Sequence, residues 1–328
     1  MNEDPDKIVA KAEILSRRIG EARSAVAQVI LGQQEVIDQS LITLLSGGHV
    51  LLVGVPGLGK TRLVETLGIV LGMATKRIQF TPDLMPADII GSEVLDETGG
   101  RRSFRFVPGP VFCQLLMADE INRASPRTQS ALLQAMQEQR VAVAGVEHAL
   151  PRPFHVLATQ NPIEQEGTYP LPEAQLDRFL LEINLTYPDQ DAERAMLLAT
   201  TGSKETRPVQ ALTAADLQDA QALVRAMPIG AQILDAILTL VRGCRPETAG
   251  EEIIRRHVAW GPGPRAAQAL MLATRARALV DGRLSPSVED VIALAQPVLR
   301  HRMALNFSAR ADGIVLTDVI DLMVGKLG

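Results

Sequence analysis

A glycine-rich loop carries the residues best suited to chemistry, because their types and spacing match phosphate binding. Gly54 is followed by four variable positions and then by Gly59, Lys60 and Thr61. Glycines at this spacing let backbone N–H groups wrap around phosphates at the start of a helix. We expect Lys60 to reach the β- and γ-phosphates of ATP, and Thr61 to give a hydroxyl oxygen to Mg²⁺. The predicted phosphate-binding residues are Gly54, Val55, Pro56, Gly57, Leu58, Gly59, Lys60, Thr61 and Arg62.

Two adjacent carboxylates, Asp119 and Glu120, follow the apolar run Val111–Ala118. Open parallel sheets bind their ligands at the carboxyl ends of the strands, so this position suits a nucleotide site. We expect Asp119 to hold the hydration shell of Mg²⁺ through water and Glu120 to polarise the attacking water. A lone Asp-Glu pair is also typical of a solvated strand end, but its position after Lys60 favours the catalytic role.

Two further polar residues are candidates for the same site. Asn161 follows a third apolar run and could orient the water or touch the γ-phosphate, although Asn-Pro is also typical of a turn. Arg265 follows Gly263 and Pro264, which predict the start of a helix. An arginine at that position could reach phosphate, but by itself it is more often exposed to solvent.

The elements that must position these residues alternate between short apolar runs and helical patterns. A helical pattern covers residues 8–45, and apolar runs lie at 49–53, 77–80, 111–118 and 154–158. Short apolar runs bounded by turn residues are typical of parallel strands that are buried on both faces. The sequence therefore predicts an α/β fold in which helices flank a parallel sheet.

The last third of the chain has helical patterns only. A capping pattern begins at Thr213, and prolines at 264 and 286 start two later helices. We predict a nucleotide-binding α/β core with a helical lead-in over residues 1–190 and a smaller all-helical domain over residues 191–328. Residues 202–208 are polar and form the predicted connector.

Composition excludes several classes of protein. The 328 residues are 46% apolar and 22% charged, as in ordinary globular proteins. Their net charge of −5 supplies no cationic field for a polyanion, so we do not expect a nucleic-acid partner. Two cysteines are too few for a disulfide framework, and no apolar run approaches the roughly 18 residues of a membrane span. We expect a cytoplasmic protein without a membrane span.

Five longer strings resemble the MoxR-type family of AAA+ ATPases. They lie at residues 50–61, 118–124, 158–162, 167–179 and 298–302, and the string at 167–179 is the most specific of them. The resemblance runs nearly from end to end. It implies a P-loop NTPase core followed by a helical lid, in the helix-two-insert clade that also contains the motor subunits of magnesium chelatases.

The family resemblance also implies roles for single residues. Asn161 takes the position called sensor one, and Arg265 takes sensor two. Arg178 is similar to the arginine finger, which is offered to the nucleotide of a neighbouring subunit and so implies a homo-oligomeric ring, in this family of six subunits. The alternative for Arg178 is an ion pair with Asp177 or another acid of the same subunit. Arg123 is a candidate interface cation to which the sequence gives no role.

Three other stretches have readings that remain open. Residues 93–107 and 140–150 alternate as hairpins do, and by resemblance such hairpins face the pore of the ring, although plain solvated hairpins are equally consistent. Residues 29–33 resemble the segment that lies against adenine, and ordinary core is the alternative. Arg101, Arg102 and Arg105 make the first hairpin mildly basic without establishing a nucleic-acid site.

Together these features predict Mg²⁺-dependent ATP hydrolysis by an AAA+ ring that remodels or activates client protein complexes. By resemblance, the clients or adaptors are proteins with a von Willebrand factor A domain, and the outcome is maturation or metal loading. The alternatives are the motor subunit of a metal chelatase, a switch that binds ATP without hydrolysing it, and a nucleic-acid motor. Glu120 and Arg178 argue against the switch, because binding alone needs neither.

Overall fold

The computed structural model describes residues 5–98, 101–164, 166–202 and 206–327. Its centre is a five-stranded parallel sheet in the order β2-β5-β8-β1-β9. The strands are β1 (Val50–Val53), β2 (Thr75–Gln79), β3 (Gly91–Thr98), β4 (Arg101–Pro108), β5 (Leu115–Asp119), β6 (Arg140–Val143), β7 (Val146–Ala149), β8 (His155–Gln160), β9 (Leu181–Asn184), β10 (Val258–Trp260) and β11 (Ala304–Leu305).

Helices cover both faces of this sheet, so the predicted α/β fold, in which helices flank a parallel sheet, is confirmed. The helices are α1 (Pro5–Ala27), α2 (Gln34–Leu45), α3 (Lys60–Val70), α4 (Pro86–Ile90), α5 (Pro126–Glu138), α6 (Glu173–Leu176), α7 (Gln190–Thr201), α8 (Ala214–Ala226), α9 (Ala231–Gly243), α10 (Glu252–His257), α11 (Pro264–Val280), α12 (Val288–Leu299), α13 (Phe307–Ala311) and α14 (Leu316–Val324). Single 3₁₀ turns lie at Ile121–Arg123 and Arg300–Arg302.

The central strands are buried on both faces, as their continuous apolar runs predict. In β1, Val50 and Leu52 pack into the hydrophobic cluster on one face, and Leu51 packs into the cluster on the other. This alternation follows from the period of two residues in a strand. All five strands run parallel, so their carboxyl ends meet at one edge of the sheet.

The prediction of a single strand over the apolar run at 111–118 was wrong, because β5 begins only at Leu115. Val111 and Cys113 are buried in a turn instead. Val111 donates its N–H to the carbonyl of Ile89, and Cys113 donates to the carbonyl of Val111. A buried turn and a buried strand leave the same apolar signal, so periodicity does not separate them.

The lid is built from α8 to α14 and is helical apart from one short antiparallel pair, β10 and β11. These strands have three and two residues, too few to show a strand period. The capping pattern at Thr213 is present, since its hydroxyl accepts from the N–H of Asp216 and its own N–H donates to that carboxylate. Lid residues share one hydrophobic cluster with α1, α2 and α3.

The predicted domain boundary near residue 190 coincides with the start of α7, and its placement stays a prediction. The predicted connector at 202–208 lies partly outside the described residues.

Two hairpins project beside the core where the sequence predicts them. They are β3–β4 and β6–β7, and the turn of the first lies outside the described residues. The hairpins pack together through the rings of Phe106 and His148, which stack at a centroid distance of 3.9 Å. Phe104 lies two residues before Phe106 on the same strand and is 70% exposed.

Within the described part of the chain, no single helix is long and apolar enough to cross a membrane. The pair α8 and α9 meets the length and composition test only when the two helices are joined, and they bend by 92° between them.

Candidate functional site

The glycine-rich loop has the backbone that phosphate binding requires. Gly57 and Gly59 lie in the left-handed region with φ of 87° and 77°. A Cβ at either position would meet no atom within 4 Å, so the backbone conformation and not packing calls for glycine there. Gly59 caps α3, which begins at Lys60, and the first N–H groups of this helix are available to an anion.

Most of the residues predicted to bind phosphate and Mg²⁺ meet in one cavity of about 420 Å³ at the carboxyl edge of the sheet, but Gly54, Val55 and Leu58 do not line it. Lys60 Nζ donates to the carbonyl of Gly54 at 2.5 Å. Burial lowers the pKa of Lys60, and the charges of Asp119 and Glu120 act in the opposite direction. The cavity is lined by Pro56, Gly57, Gly59, Lys60, Thr61, Arg62, Asp119, Glu120 and Asn161.

Thr159 fixes both carboxylate residues, a role that the sequence reasoning missed. Its hydroxyl donates to Asp119 Oδ1 at 2.6 Å and accepts the N–H of Glu120 at 2.8 Å. The residue is 1% exposed, so neither bond is open to competition from bulk water. The signal available beforehand was its place two residues before Asn161, at the end of a buried strand.

Two residues of β2 also reach these carboxylates. Arg77 donates to Asp119 Oδ2 at 2.6 Å, and Gln79 donates to Glu120 Oε2 at 2.7 Å. The two are separated by two positions and therefore share one face of the strand. Strand β2 pairs with β5 so that Gln79 lies opposite Asp119. A polar Arg-x-Gln at the end of a strand was the missed signal.

Glu120 adopts a left-handed conformation with φ of 54°, uncommon for a residue with a side chain. Its Oε2 accepts a second hydrogen bond from Arg123 at 3.1 Å. Arg123 also pairs with Glu164 at 3.5 Å, and the amide of Asn161 donates to Glu164 at 3.4 Å. The two polar tips predicted for catalysis, Glu120 and Asn161, are thus linked through Arg123 and Glu164.

An apolar cavity of about 310 Å³ adjoins the glycine-rich loop. Val29, Ile30 and Leu31 form part of its lining, with Tyr187 and Met196 opposite. Such a cavity suits a flat aromatic base, so the geometry agrees with the adenine reading of residues 29–33.

Arg178 and Arg265 lie together in a different cavity, of about 250 Å³, which Gly48 and His49 also line. These two residues precede β1, whereas the phosphate-binding loop follows it, so roughly 13 Å of strand separates the sites. Asp177 pairs with Arg302 at 2.8 Å and with Arg265 at 3.6 Å.

The structure thus does not bring Arg178 or Arg265 to the phosphate-binding loop of the same chain. Arg178 donates to the carbonyl of Leu133, and its Nε has no partner among the described residues. The alternative reading of Arg178, an ion pair with Asp177, is not what the geometry shows, because Asp177 is held by the other two arginines. Arg178 is partly buried, whereas the Arg265 side chain is 51% exposed, and both lie remote from the nucleotide cavity of their own chain.

A buried glutamine joins the carboxylate loop to the segment that leads to Arg178. Gln129 is fully buried, and its Nε2 donates to the carbonyls of Ile121, Ala124 and Tyr169. Tyr169 in turn donates its N–H to the carbonyl of Asn122 at 2.7 Å. The most specific string of the sequence, at 167–179, is thus fastened to the loop that carries Glu120.

The donor set of the nucleotide cavity fits Mg²⁺ held together with phosphate. Mg²⁺ takes oxygen ligands, and it is usually bound through one or two carboxylates with substrate phosphates and water. Thr61 and Asp119 offer a hydroxyl and a carboxylate oxygen in the same cavity. No group of three or more metal-ligating side chains is found in the described residues, so the phosphates would complete the ligand set.

Comparisons with known proteins agree with this geometry. Residues 49–181 match the family "ATPase family associated with various cellular activities (AAA)", and residues 250–321 match the AAA lid domain. The chain is 44% identical to chaperone MoxR1 of Mycobacterium tuberculosis over 308 residues, covering 94% of this chain and 80% of the relative. It is 32% identical to protein MoxR of Paracoccus denitrificans, covering 91% and 92%.

A solved structure of a candidate ATPase from Cytophaga hutchinsonii superposes with a TM-score of 0.91 at 37% identity, covering 98% of each chain. The family match therefore extends over the core, the lid and the whole fold. The chain belongs to the MoxR-type family of AAA+ ATPases.

Proposed function

We propose that this protein hydrolyses ATP with Mg²⁺ and does so as a homo-oligomeric ring. The observation that carries the proposal is the single cavity in which Lys60, Thr61, Asp119, Glu120 and Asn161 meet. A protein that binds ATP without hydrolysing it would need only the phosphate-binding loop. A water-polarising carboxylate and a neutral amide on the same cavity supply what hydrolysis needs in addition.

The roles of the residues follow from their positions. Lys60 faces the β- and γ-phosphates, and Glu120 orients and polarises the attacking water. Asn161 donates its amide to the γ-phosphate or to that water. Thr61 and, through water, Asp119 would hold Mg²⁺, which would supply positive charge to the phosphate oxygens. Thr159 keeps Asp119 and Glu120 in fixed orientations by its two hydrogen bonds.

The positions of Arg178 and Arg265 support assembly into a ring. Both lie at the edge of the sheet remote from the nucleotide cavity of their own chain, and this position favours a nucleotide that another subunit holds. We therefore propose that both act on the neighbouring subunit and offset charge that develops on the γ-phosphoryl group. A head-to-tail contact of this kind closes into a ring, for which the family supplies the number six.

We further propose that the ring remodels client protein complexes in the cytoplasm, as the name of the chaperone MoxR1 relative suggests. The two hairpins offer the contact surface. Leu95 and Phe104 are cross-strand partners on the first hairpin and are 52% and 70% exposed, and Val146 is exposed on the second. An adaptor or client with a von Willebrand factor A domain, and metal loading of that client, remain part of the proposal from family resemblance.

Mixing two inactive variants tests whether Arg178 acts on a neighbour. Lys60→Ala loses the phosphate contact but keeps Arg178, whereas Arg178→Ala keeps an intact nucleotide cavity. In an equal mixture, about one interface in four joins an intact cavity to an intact arginine, since each interface is heterologous. We expect each variant alone to be inactive and the mixture to recover ATPase activity.

Absence of recovery at every mixing ratio, with mixed rings verified by native mass spectrometry, would contradict action on the neighbour. Mixing Lys60→Ala with Lys60→Ala/Arg178→Ala is the matched control and should stay inactive. In that mixture no subunit has an intact cavity.

A further inference from the structure

Arg123 lies between two carboxylates at the edge of the nucleotide cavity. It ends the 3₁₀ turn that begins directly after Glu120, and its side chain is 37% exposed. Its guanidinium contacts Glu120 Oε2 at 3.1 Å and Glu164 Oε1 at 3.5 Å. One cation thus serves two acids, and the shorter contact is to the acid expected to activate water.

The contact with Arg123 restrains Glu120. Its Oε2 accepts one hydrogen bond from Gln79 and a charge-assisted one from Arg123. A carboxylate oxygen with two donors already in place has little capacity left to orient a water molecule. The arrangement therefore engages this oxygen of Glu120 in contacts with the protein.

Glu164 connects this restraint to the residue that senses phosphate. Its Oε1 faces Arg123, and its Oε2 accepts from the amide of Asn161 at 3.4 Å. Asn161 is 9% exposed and lines the nucleotide cavity, where a γ-phosphate would compete for the same amide hydrogen atoms. If the Asn161 amide turns to the phosphate, its hydrogen bond to Glu164 breaks. Glu164 then keeps its contact with Arg123.

We propose that Arg123 and Glu164 form a latch that keeps Glu120 restrained until Asn161 engages the γ-phosphate. The proposal rests on the function proposed above. In the closed latch Arg123 bridges Glu120 and Glu164, and in the open latch it pairs with Glu164 alone and leaves Gln79 as the remaining donor to Glu120 Oε2. A nucleoside triphosphate shifts the balance toward the open latch, whereas a diphosphate lacks the γ-phosphate and does not. Arg123 and Glu164 are positioning residues, since they act through Glu120 and Asn161.

Thermodynamic linkage gives the two partners effects of opposite sign on nucleotide binding. Arg123→Ala removes the pair that the triphosphate must break, so the Kd of a non-hydrolysable ATP analogue should fall about threefold, the size expected of a half-exposed ion pair. Glu164→Gln removes the charge that stabilises the open latch, so the same Kd should rise about threefold. The Kd of ADP should not change in either variant.

Isothermal titration calorimetry of the full chain with the analogue and with ADP measures these effects without turnover. The double variant Arg123→Ala/Glu164→Gln should behave as Arg123→Ala alone, because Glu164 has lost the cation on which it acts. Arg123→Lys retains a charge and should restore values close to wild type. Arg127→Ala and Glu166→Gln change exposed neighbours of the same types and serve as controls.

Turnover supplies a second readout. Glu164→Gln should lower kcat while the KM for ATP changes little beyond the shift in Kd. Equal shifts for the analogue and ADP, or shifts of the same sign in both variants, would overturn the latch and leave the ATPase proposal standing. A wild-type chain that binds neither nucleotide would instead contradict the proposed function itself.

Discussion

At the scale of single residues, the hydroxyl of Thr159 binds the Asp119 carboxylate and the N–H of Glu120, the two residues on which the proposed chemistry depends. Replacement by valine keeps the shape of the side chain but leaves the buried N–H of Glu120 without its acceptor. We expect Thr159→Val to lower the free energy of unfolding by about 1–3 kcal/mol and to reduce kcat by at least about tenfold. Thr159→Ser keeps the hydroxyl and should retain most of both.

Urea unfolding followed by circular dichroism, with ATPase assays on the same samples, checks this prediction. A Thr159→Val protein with wild-type turnover would show that the orientation of Asp119 and Glu120 does not depend on this hydroxyl.

Two buried histidines make stability depend on pH. His49 Nδ1 accepts the N–H of Val156, and His155 Nε2 accepts from the amide of Gln221, so each ring is held neutral by the bond it accepts. Burial lowers the pKa of His49 to about 3, with the neighbouring His155 adding to the effect. Burial likewise lowers the pKa of His155 to about 4.

A folded pKa below the unfolded value means that acid favours the unfolded chain. The stabilisation is complete above about pH 6.5, the ordinary histidine pKa, and is lost as the pH falls toward 4. Each histidine contributes a slope of at most about 1.4 kcal/mol per pH unit, and the lowered pKa of His301 adds in the same direction. Burial raises the pKa of Glu182, so protonation of this one carboxyl favours the folded chain as the pH falls and opposes the effect of the histidines.

Urea unfolding at pH 7.5, 6.0 and 5.0 therefore should give progressively lower midpoints. A midpoint that stays constant over this range would contradict the assignment of neutral, buried imidazoles.

Residue types predicted much of the site, but not the hydrogen bonds that connect its residues. The phosphate-binding loop and the acids Asp119 and Glu120 can be recognised in the sequence, because few residue types can bind phosphate or activate water. Thr159, Arg77 and Gln79 carry no such restriction, since threonine, arginine and glutamine occur on many strands. Only the register of β2 against β5 and the adjacency of β5 and β8 reveal that they face Asp119 and Glu120.

At the scale of elements, α1 fastens the lid to the core. Arg18 pairs with Asp216 of α8 at 2.6 Å and also donates to the carbonyl of Ala211. Lys11 on the same helix pairs with Asp219 of the same partner helix, but both of those side chains are more than half exposed. The two pairs therefore offer a matched comparison between a partly buried and an exposed contact.

We expect Arg18→Ala to lower the free energy of unfolding by about 1–2 kcal/mol, because a partly buried carbonyl and a partly buried carboxylate lose their donor. Lys11→Ala should cost less than about 0.5 kcal/mol, as is usual for exposed ion pairs. Urea unfolding of both variants measures the difference. Equal losses would show that α1 does not hold the lid through Arg18.

The elements follow from the sequence where the pattern is local. The lead-in helices, both hairpins and the capped helix after Thr213 were predicted, because periodicity and capping act within a few residues. The start of β5 was not, since burial of Val111 and Cys113 depends on what packs around a turn. The β10–β11 pair joins segments more than forty residues apart and leaves no local signal.

At the scale of the whole molecule, the two halves of the candidate site lie at opposite edges of one sheet. The nucleotide cavity opens at the carboxyl ends of the strands, and Arg178 and Arg265 lie near the amino end of β1. No motion of a single side chain brings them together, because the sheet separates them. The site that we propose therefore takes residues from two subunits, and we expect activity to depend on assembly.

The most direct test is the steady-state ATPase rate of wild type and Glu120→Gln against protein concentration, with the mass of the assembly determined at each concentration. We predict a specific activity that rises as rings form and is lost in Glu120→Gln, while that variant still binds ATP. Activity that is constant from monomer to ring would contradict the shared site. Tight ATP binding without turnover in any assembly state would instead indicate a switch that works by binding alone.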